Sequence, residues 1–192
     1  MKIYTRKGDF GQTSTFKNEA VSKGSRLIEL QGSIDEVNSQ IGYLRAMILK
    51  DGSDHRYQLL INVLLDELRQ VQQSLFRIGV DITNKFTSNN IQEKDVKKLE
   101  QSIDSMEIKT GKLESFIYLS GHESACYAHV VRSTTRRSER NFVKWIEEIK
   151  KENPQFIIPV DYQYMNRLAD YMFQVARYLN WFFNVNEEKM SL

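Results

Sequence analysis

Between positions 132 and 140 the chain places Arg132, Arg136, Arg137, Glu139 and Arg140. Arg132, Arg136 and Glu139 repeat at four-three spacing, which sets them along one line of an α-helix. Guanidinium groups match phosphate oxygens in bidentate pairs, so such a line suits the binding of a polyphosphate. Burying a guanidinium without a partner costs several kcal/mol, roughly, so any arginine here that leaves solvent needs either an internal carboxylate or an anionic ligand. A solvated face with Glu139 in local ion pairs is the competing account, each such pair contributing about 0.3–0.5 kcal/mol.

The element that must carry these groups runs from Gly121 to Ile149. Past Gly121 it contains no glycine or proline, which permits an unbroken helix. Ala128, Val131, Thr135, Ser138, Phe142, Trp145 and Ile149 form its apolar and small seam, and His129, Arg132, Arg136, Glu139, Val143 and Ile146 form the adjacent stripe. Four further segments show the same periodicity. Leu30, Ile34, Val37, Ile41, Leu44 and Ile48 mark the first, with Asp35, Asn38, Gly42 and Arg45 beside them. Ser33 and Glu36 stand at capping-box distance, which makes Ser33 a candidate N-cap, although Leu27 to Leu30 could already be helical. A break follows at Lys50-Asp51-Gly52-Ser53. The second segment carries Ile61 through Ile82, the third Val96 through Met106, and the last Met165 through Phe182, where Asn166, Asp170, Phe173 and Arg177 form the polar line. The expectation is an all-α, five-helix antiparallel bundle with minimal strand content.

The ends and connections carry the remaining signals. Residues 1–24 do not look helical; Lys2 to Thr5 is β-like, and Gly8 and Gly11 among Asp, Thr and Ser would let backbone amides approach an anion. Residues 25–185 form the bundle of one domain, and 186–192 a polar tail expected to fray. Phe116 sits in a short apolar connection as either a core plug or a ligand-facing aromatic, with the plug favoured on the residues alone.

Composition excludes several classes. The net charge is +2 with 27 basic and 25 acidic residues, too balanced for a general nucleic-acid binder. No apolar run approaches the ~20 residues that span a bilayer. The single Cys126 rules out an internal disulfide, fits a reducing cytoplasm and reads as a small buried residue. His55, His122 and His129 do not stand at metal-ligand spacing, and no Glu-x-x-His pair recurs in matched helices, so a buried di-iron site is not expected.

Four separated pieces resemble one family. Tyr4-Thr5-Arg6-Lys7-Gly8-Asp9-Phe10-Gly11-Gln12-Thr13-Ser14 looks like the nucleotide-binding arm of the ATP:cob(I)alamin adenosyltransferases of the PduO type, and Gly32-Ser33-Ile34-Asp35-Glu36-Val37-Asn38-Ser39 like their first-helix motif. Arg132 with Arg136-Arg137-Ser138-Glu139-Arg140 resembles the central arginine motif, and Met165-Asn166-Arg167-Leu168-Ala169-Asp170-Tyr171-Met172-Phe173 the last-helix motif. The resemblance implies transfer of the 5′-deoxyadenosyl group of ATP to cob(I)alamin with release of triphosphate. It implies a homotrimer with interfacial active sites. ATP would meet Thr5, Arg6, Lys7, Gly8, Asp9, Thr13, Ser14 and Lys23 on the arm, and Arg132, Arg136, Arg137, Glu139, Arg140 and Asn166 on the bundle. Mg²⁺ would accompany ATP, with Glu139 near it. Asp35, Phe116 and Phe173 would face the corrinoid. A cob(II)alamin reductase or an adenosylcobalamin-dependent enzyme would be a partner.

The pattern is departed from in the arm, in the loop before the arginine helix and in the tail after Trp181, which looks short. Lys7 and Phe10 stand where the arm usually has threonine and lysine, and Leu119-Ser120-Gly121-His122 replaces Leu-Pro-Gly-Gly. Two rival readings accompany these changes: a nucleotide- or corrinoid-binding carrier or regulator on the same bundle, and a structural helical interaction protein with internally paired arginines.

Overall fold

The computed structural model describes residues 4, 6–15, 19–51 and 58–191. Five helices make up the body: α1 (Arg26–Asp51), α2 (Gln58–Thr83), α3 (Glu93–Thr110), α4 (Glu123–Glu152) and α5 (Val160–Phe182). Helix α4 packs against α1 and α5, α3 packs on α5, and α2 packs on α1. The five-helix bundle expected from the seams is the architecture found, and every seam residue of α4 from Ala128 to Ile149 is buried.

Two short strands precede the bundle, β1 (Gln12–Ser14) and β2 (Ala20–Ser22), paired antiparallel with Thr13 opposite Val21. Lys2, Ile3, Thr5, Gly52, Ser53 and His55 lie outside the described residues.

Helix ends follow local chemistry more closely than the seams did. Helix α1 begins at Arg26, where the Ser25 hydroxyl accepts from the Ile28 amide at 3.4 Å. Ser33 is therefore not an N-cap. It is buried inside the helix, where its hydroxyl donates back to the Leu30 carbonyl at 2.8 Å and meets Ser138 Oγ of α4 at 3.0 Å. Small side chains at both positions let the two helices approach closely. Helix α3 starts with the Asp95 carboxylate accepting from the Gln92 amide at 3.0 Å, which satisfies a backbone donor at the start of the helix.

Between α2 and α3 the chain is held by Asp81, which is fully buried. Its carboxylate accepts from the Ser88 hydroxyl at 2.5 Å and from the Asn90 amide at 2.8 Å. Asp161, in the first turn of α5, is buried beside it. Burial foremost, and then the Asp81 charge, pushes the Asp161 carboxyl up to about 7, because a second carboxylate in a desolvated place resists ionisation.

Over residues 187–190 the C-terminal tail is held and not frayed. Glu187 is ion-paired to the buried Arg177 of α5 at 2.8 Å, and residues 188–190 hydrogen-bond along the connection 116–118. Cys126 is half-buried, not buried, with its Sγ 3.6 Å from the Gly121 carbonyl.

Candidate active site

Helix α4 turns its small-residue seam into the core, which rotates the neighbouring stripe toward α5. His129 comes 5.7 Å from the Phe173 ring centre, and the Arg132 guanidinium carbon lies 6.0 Å from the same ring. Further along, Glu139 accepts a hydrogen bond from the Tyr162 hydroxyl at 3.3 Å. Asn166 stands one helical turn past Tyr162 and is exposed. A cleft of about 370 Å³ opens on this face, lined by Glu107, Arg132, Arg136, Asp170, Phe173, Gln174 and Arg177 with Leu113 at one edge.

The cations of the cleft are unequally satisfied. Arg177 is occupied by Glu187, and Asp170 is ion-paired to Arg167 at 2.5 Å. Arg132 has a buried Nε with no hydrogen-bond partner, and burial followed by the nearby Arg136 charge lowers its pKa from the usual guanidinium value. Arg136 is exposed and has no ion-pair or side-chain hydrogen-bond partner among the described residues. Burial, with Arg132 as the second cause, lowers His129 to about 4, so its imidazole is neutral at pH 7. Glu107 also lines the cleft, but among the described residues no carboxylate is ion-paired to Arg132 or Arg136, so these two guanidinium groups are left for an anionic ligand.

The other two arginines of the run behave differently. Arg137 reaches the opposite way and forms an ion pair with Glu36 of α1. Arg140 is exposed, its Nη1 donating to the Arg136 carbonyl at 3.0 Å.

Phe116 is 68% exposed, so it is no core plug. Its backbone is held instead, and the ring is presented outward. Leu113, Ser115, Phe116 and Met190 line a second cavity of about 510 Å³, and Leu113 lines both cavities, which makes them neighbours. The connection carrying Phe116 is pinned to α5 by the buried Asn180: its Oδ1 accepts from the His122 amide at 2.9 Å, and its Nδ2 donates to the Ser120 carbonyl at 3.0 Å. Gly121 lies between these two bonds at φ +121°, and a Cβ there would fall 2.1 Å from Asn180 Oδ1. His122, in place of a second glycine, caps α4 by accepting from the Ser124 amide at 3.3 Å and stacks on Phe183 with 3.7 Å between ring centres.

On the arm, the Lys23 ammonium donates to the Gly8 carbonyl at 2.8 Å, and the Gly11 amide donates to the same carbonyl at 3.4 Å. The Arg6 guanidinium lies 5.7 Å over the Tyr4 ring. Lys7, Asp9 and Ser14 are exposed, and Thr13 is half-buried in β1. None of these residues, nor the exposed Asp35 of α1, lines the arginine cleft of the same chain. Thr5 lies outside the described residues.

Sequence reasoning did not single out Tyr162, Arg177 or Asn180 as parts of this region. Asn180 carried a usable signal, an amide one residue past the seam position Leu179. Arg177 sat on the polar line of α5, but its partner Glu187 lies in a segment that has no periodicity to interpret. A larger groove of about 780 Å³, floored by Glu67, Tyr164 and Tyr171, opens away from the arginines and gathers none of the expected site residues.

Comparison with known proteins places this geometry. The cobalamin adenosyltransferase family model matches residues 3–179. A corrinoid adenosyltransferase of Bacillus subtilis is 33% identical over 182 residues, covering 94% of this chain and 87% of that protein. Corrinoid adenosyltransferase MMAB of Bos taurus is 31% identical, covering 92% and 70%. Among solved structures, a variant of the PduO-type ATP:corrinoid adenosyltransferase from Lactobacillus reuteri, complexed with cobalamin and ATP, superposes with a TM-score of 0.82 at 30% identity, covering 98% of this chain and 96% of that one. With its arginine helix, its glycine-bearing arm and its bundle all matched in order, the chain belongs to the cobalamin adenosyltransferase family.

Proposed function

We propose that the chain is an ATP:corrinoid adenosyltransferase that moves the 5′-deoxyadenosyl group of ATP to cob(I)alamin. The cobalt–carbon bond forms at C5′ as the C5′–oxygen bond breaks, and triphosphate leaves with the bonding electrons. The observation that carries the reading is the pair Arg132 and Arg136, ion-paired to no carboxylate among the described residues and set beside Phe173 in one cleft.

The residues divide the work by position. Arg132 and Arg136, with Arg140 one turn on, bind the triphosphate and stabilise the charge it gains as it leaves. Arg137, held by Glu36, contributes to that field from farther away. Asn166 and the Glu139–Tyr162 pair border the nucleotide on the α4–α5 seam. No protein nucleophile is required, since the substrate's reduced cobalt supplies the electron pair. This fits the one imidazole near the cleft among the described residues, His129 beside Phe173, which is buried and neutral. Phe116 and Phe173 form the apolar wall on the corrinoid side, excluding water from cobalt. Mg²⁺ fits only as a companion of the nucleotide. Among the described residues no group of three or more His, Cys, Asp or Glu side chains is placed to hold a metal, so phosphate oxygens and water would supply most ligands, with Glu139 reaching the ion through water.

The arm and Asp35 lie away from the cleft of their own chain, which supports a homotrimer in which a neighbouring copy supplies them. The outer face of α1 and α4 exposes Tyr43, Leu49 and Val130, apolar surface suited to such a contact. In that assembly the arm residues Thr5 to Asp9, Thr13, Ser14 and Lys23 close over the phosphates, and Lys7 provides the cation that the arm lacks at Phe10. A cob(II)alamin reductase and an adenosylcobalamin-dependent enzyme are the partners this chemistry calls for. No helix among the described residues is long and apolar enough to cross a membrane; a cytoplasmic setting belongs to the same proposal.

The deciding experiment follows alkylation of cobalt by its absorption spectrum, with ATP and a chemical reductant, alongside triphosphate release. Stoichiometric adenosylcobalamin and triphosphate are expected. ATP and corrinoid binding with no cobalt–carbon product would make the protein a carrier and overturn the proposal.

A further inference from the structure

The buried Arg177 makes contacts that substrate binding does not explain. It is 3% exposed, yet its guanidinium is fully engaged. Nε donates to Glu187 Oε1 at 2.8 Å and Nη2 to Glu187 Oε2 at 3.2 Å, a bidentate pair. Nη1 donates to the Gly111 carbonyl at 3.1 Å, at the C-terminal end of α3. One side chain therefore ties α5, the end of α3 and the tail together.

From Glu187 the tail runs directly onto the connection that carries Phe116. The Tyr118 amide donates to the Glu188 carbonyl at 2.9 Å, Ile117 bridges antiparallel to Lys189, and the Met190 amide donates to the Phe116 carbonyl at 2.8 Å. Lys189 adds an exposed ion pair to Glu114 at 3.3 Å. Among the described residues the one ion pair of this strap that reaches a buried group is Arg177–Glu187, and the strap itself is a single bridge with two backbone hydrogen bonds. Such a short pairing does not hold itself in water. The bidentate pair between the half-buried Glu187 and the buried Arg177 is what fixes its register, because displacing Glu187 would leave a desolvated guanidinium unpaired.

We propose that Arg177 and Glu187 are positioning residues of the corrinoid side: they clamp the C-terminal strap so that it holds Phe116 outward and sets Met190 beside it. This rests on the reading of Phe116 as a corrinoid-facing wall. Arg177 also lines the arginine cleft, so the clamp lies where the nucleotide and corrinoid sides meet, and it acts on the second without touching the phosphates.

The test uses the full chain with Glu187→Gln, which keeps the side chain's shape and removes its charge. The corrinoid KM is expected to rise about tenfold, as when a buried guanidinium loses its carboxylate partner, while the ATP KM stays within about twofold. With ATP bound, the cob(II)alamin electron paramagnetic resonance spectrum should lose four-coordinate signal in favour of a water-ligated species. Equal losses for ATP and corrinoid, or a wild-type corrinoid KM and spectrum, would overturn the clamp. Should Glu187→Gln fail to fold, Met190→Pro removes the amide that holds Phe116 without disturbing any charge. The same split between substrates is expected, and its absence overturns the strap. Phe116→Ala run in parallel separates the two proposals. An effect there with none at Glu187 rejects the clamp alone, whereas no effect at Phe116 rejects the corrinoid-wall reading itself.

Discussion

Replacing Gly121 by alanine strikes the joint between the Phe116 connection and α4. The backbone there has φ +121°, a region that residues with a Cβ rarely enter, at a cost of about 1–3 kcal/mol. The new methyl would lie 2.1 Å from Asn180 Oδ1 and 2.6 Å from its Cγ, and such overpacking costs about 1–3 kcal/mol more. If Asn180 yields, it abandons its bonds to the His122 amide and the Ser120 carbonyl, each contributing about 1 kcal/mol. Backbone strain plus either the clash or the lost bonds comes to about 2–6 kcal/mol. For a chain of this size each kcal/mol moves the melting temperature by about 2–4 °C, so a fall of about 5–25 °C is expected by circular dichroism. A double-mutant cycle isolates the cause. Asn180→Ala alone should cost about 2 kcal/mol for two lost bonds. Combined with Gly121→Ala it removes the clash, so the double variant should be more stable than the sum of the singles by about 1–3 kcal/mol. Additivity within about 0.5 kcal/mol, or a drop in melting temperature under about 2 °C for Gly121→Ala, would refute the reasoning.

Three other expectations follow from named contacts. Arg136→Ala removes an exposed, unpaired guanidinium; unfolding free energy should change by less than about 0.5 kcal/mol, while ATP affinity measured by calorimetry falls about 10–150-fold, the loss of one charge-assisted bond set. Wild-type ATP binding in that variant removes the phosphate role. Phe116→Ala, at a side chain 68% exposed, should lower turnover far more than ATP affinity and leave the melting temperature nearly unchanged; the reverse pattern would place the ring on the nucleotide. Asp161 is raised to about 7, so the folded state holds its proton where the unfolded chain releases it near pH 4. Its contribution to stability is full below that pH and is lost as pH rises through 7. Chemical denaturation between pH 5 and 8 should therefore show stability declining with pH, and Asp161→Asn should flatten the decline; an unchanged slope refutes the assignment.

Much of this protein was legible in the order of its residues. Helical spacing is a local property, so Ala128 to Ile149, Ile61 to Ile82 and Met165 to Leu179 declared their helices and their buried faces without any knowledge of neighbours. The Arg132–Arg136–Glu139 line followed from the same periodicity, and the four motifs in order identified the family. What stayed hidden depended on pairs far apart in sequence. Ser33 looked like a cap until Ser138 of another helix was seen to meet it. Arg137 and Arg136 are adjacent letters of the same type, yet one is spent on Glu36 and the other is free, because successive helical residues point about 100° apart and only packing decides what each finds. Phe116 read as a plug because composition does not report exposure. The tail read as frayed because Glu187 gains its anchor from Arg177, on a neighbouring element that no spacing rule connects to it. Helices and seams come from short-range geometry and could be read from the chain alone. Charge pairing, exposure and the joining of the two cavities are decided by which segments the fold brings together, and only the tertiary structure decides that.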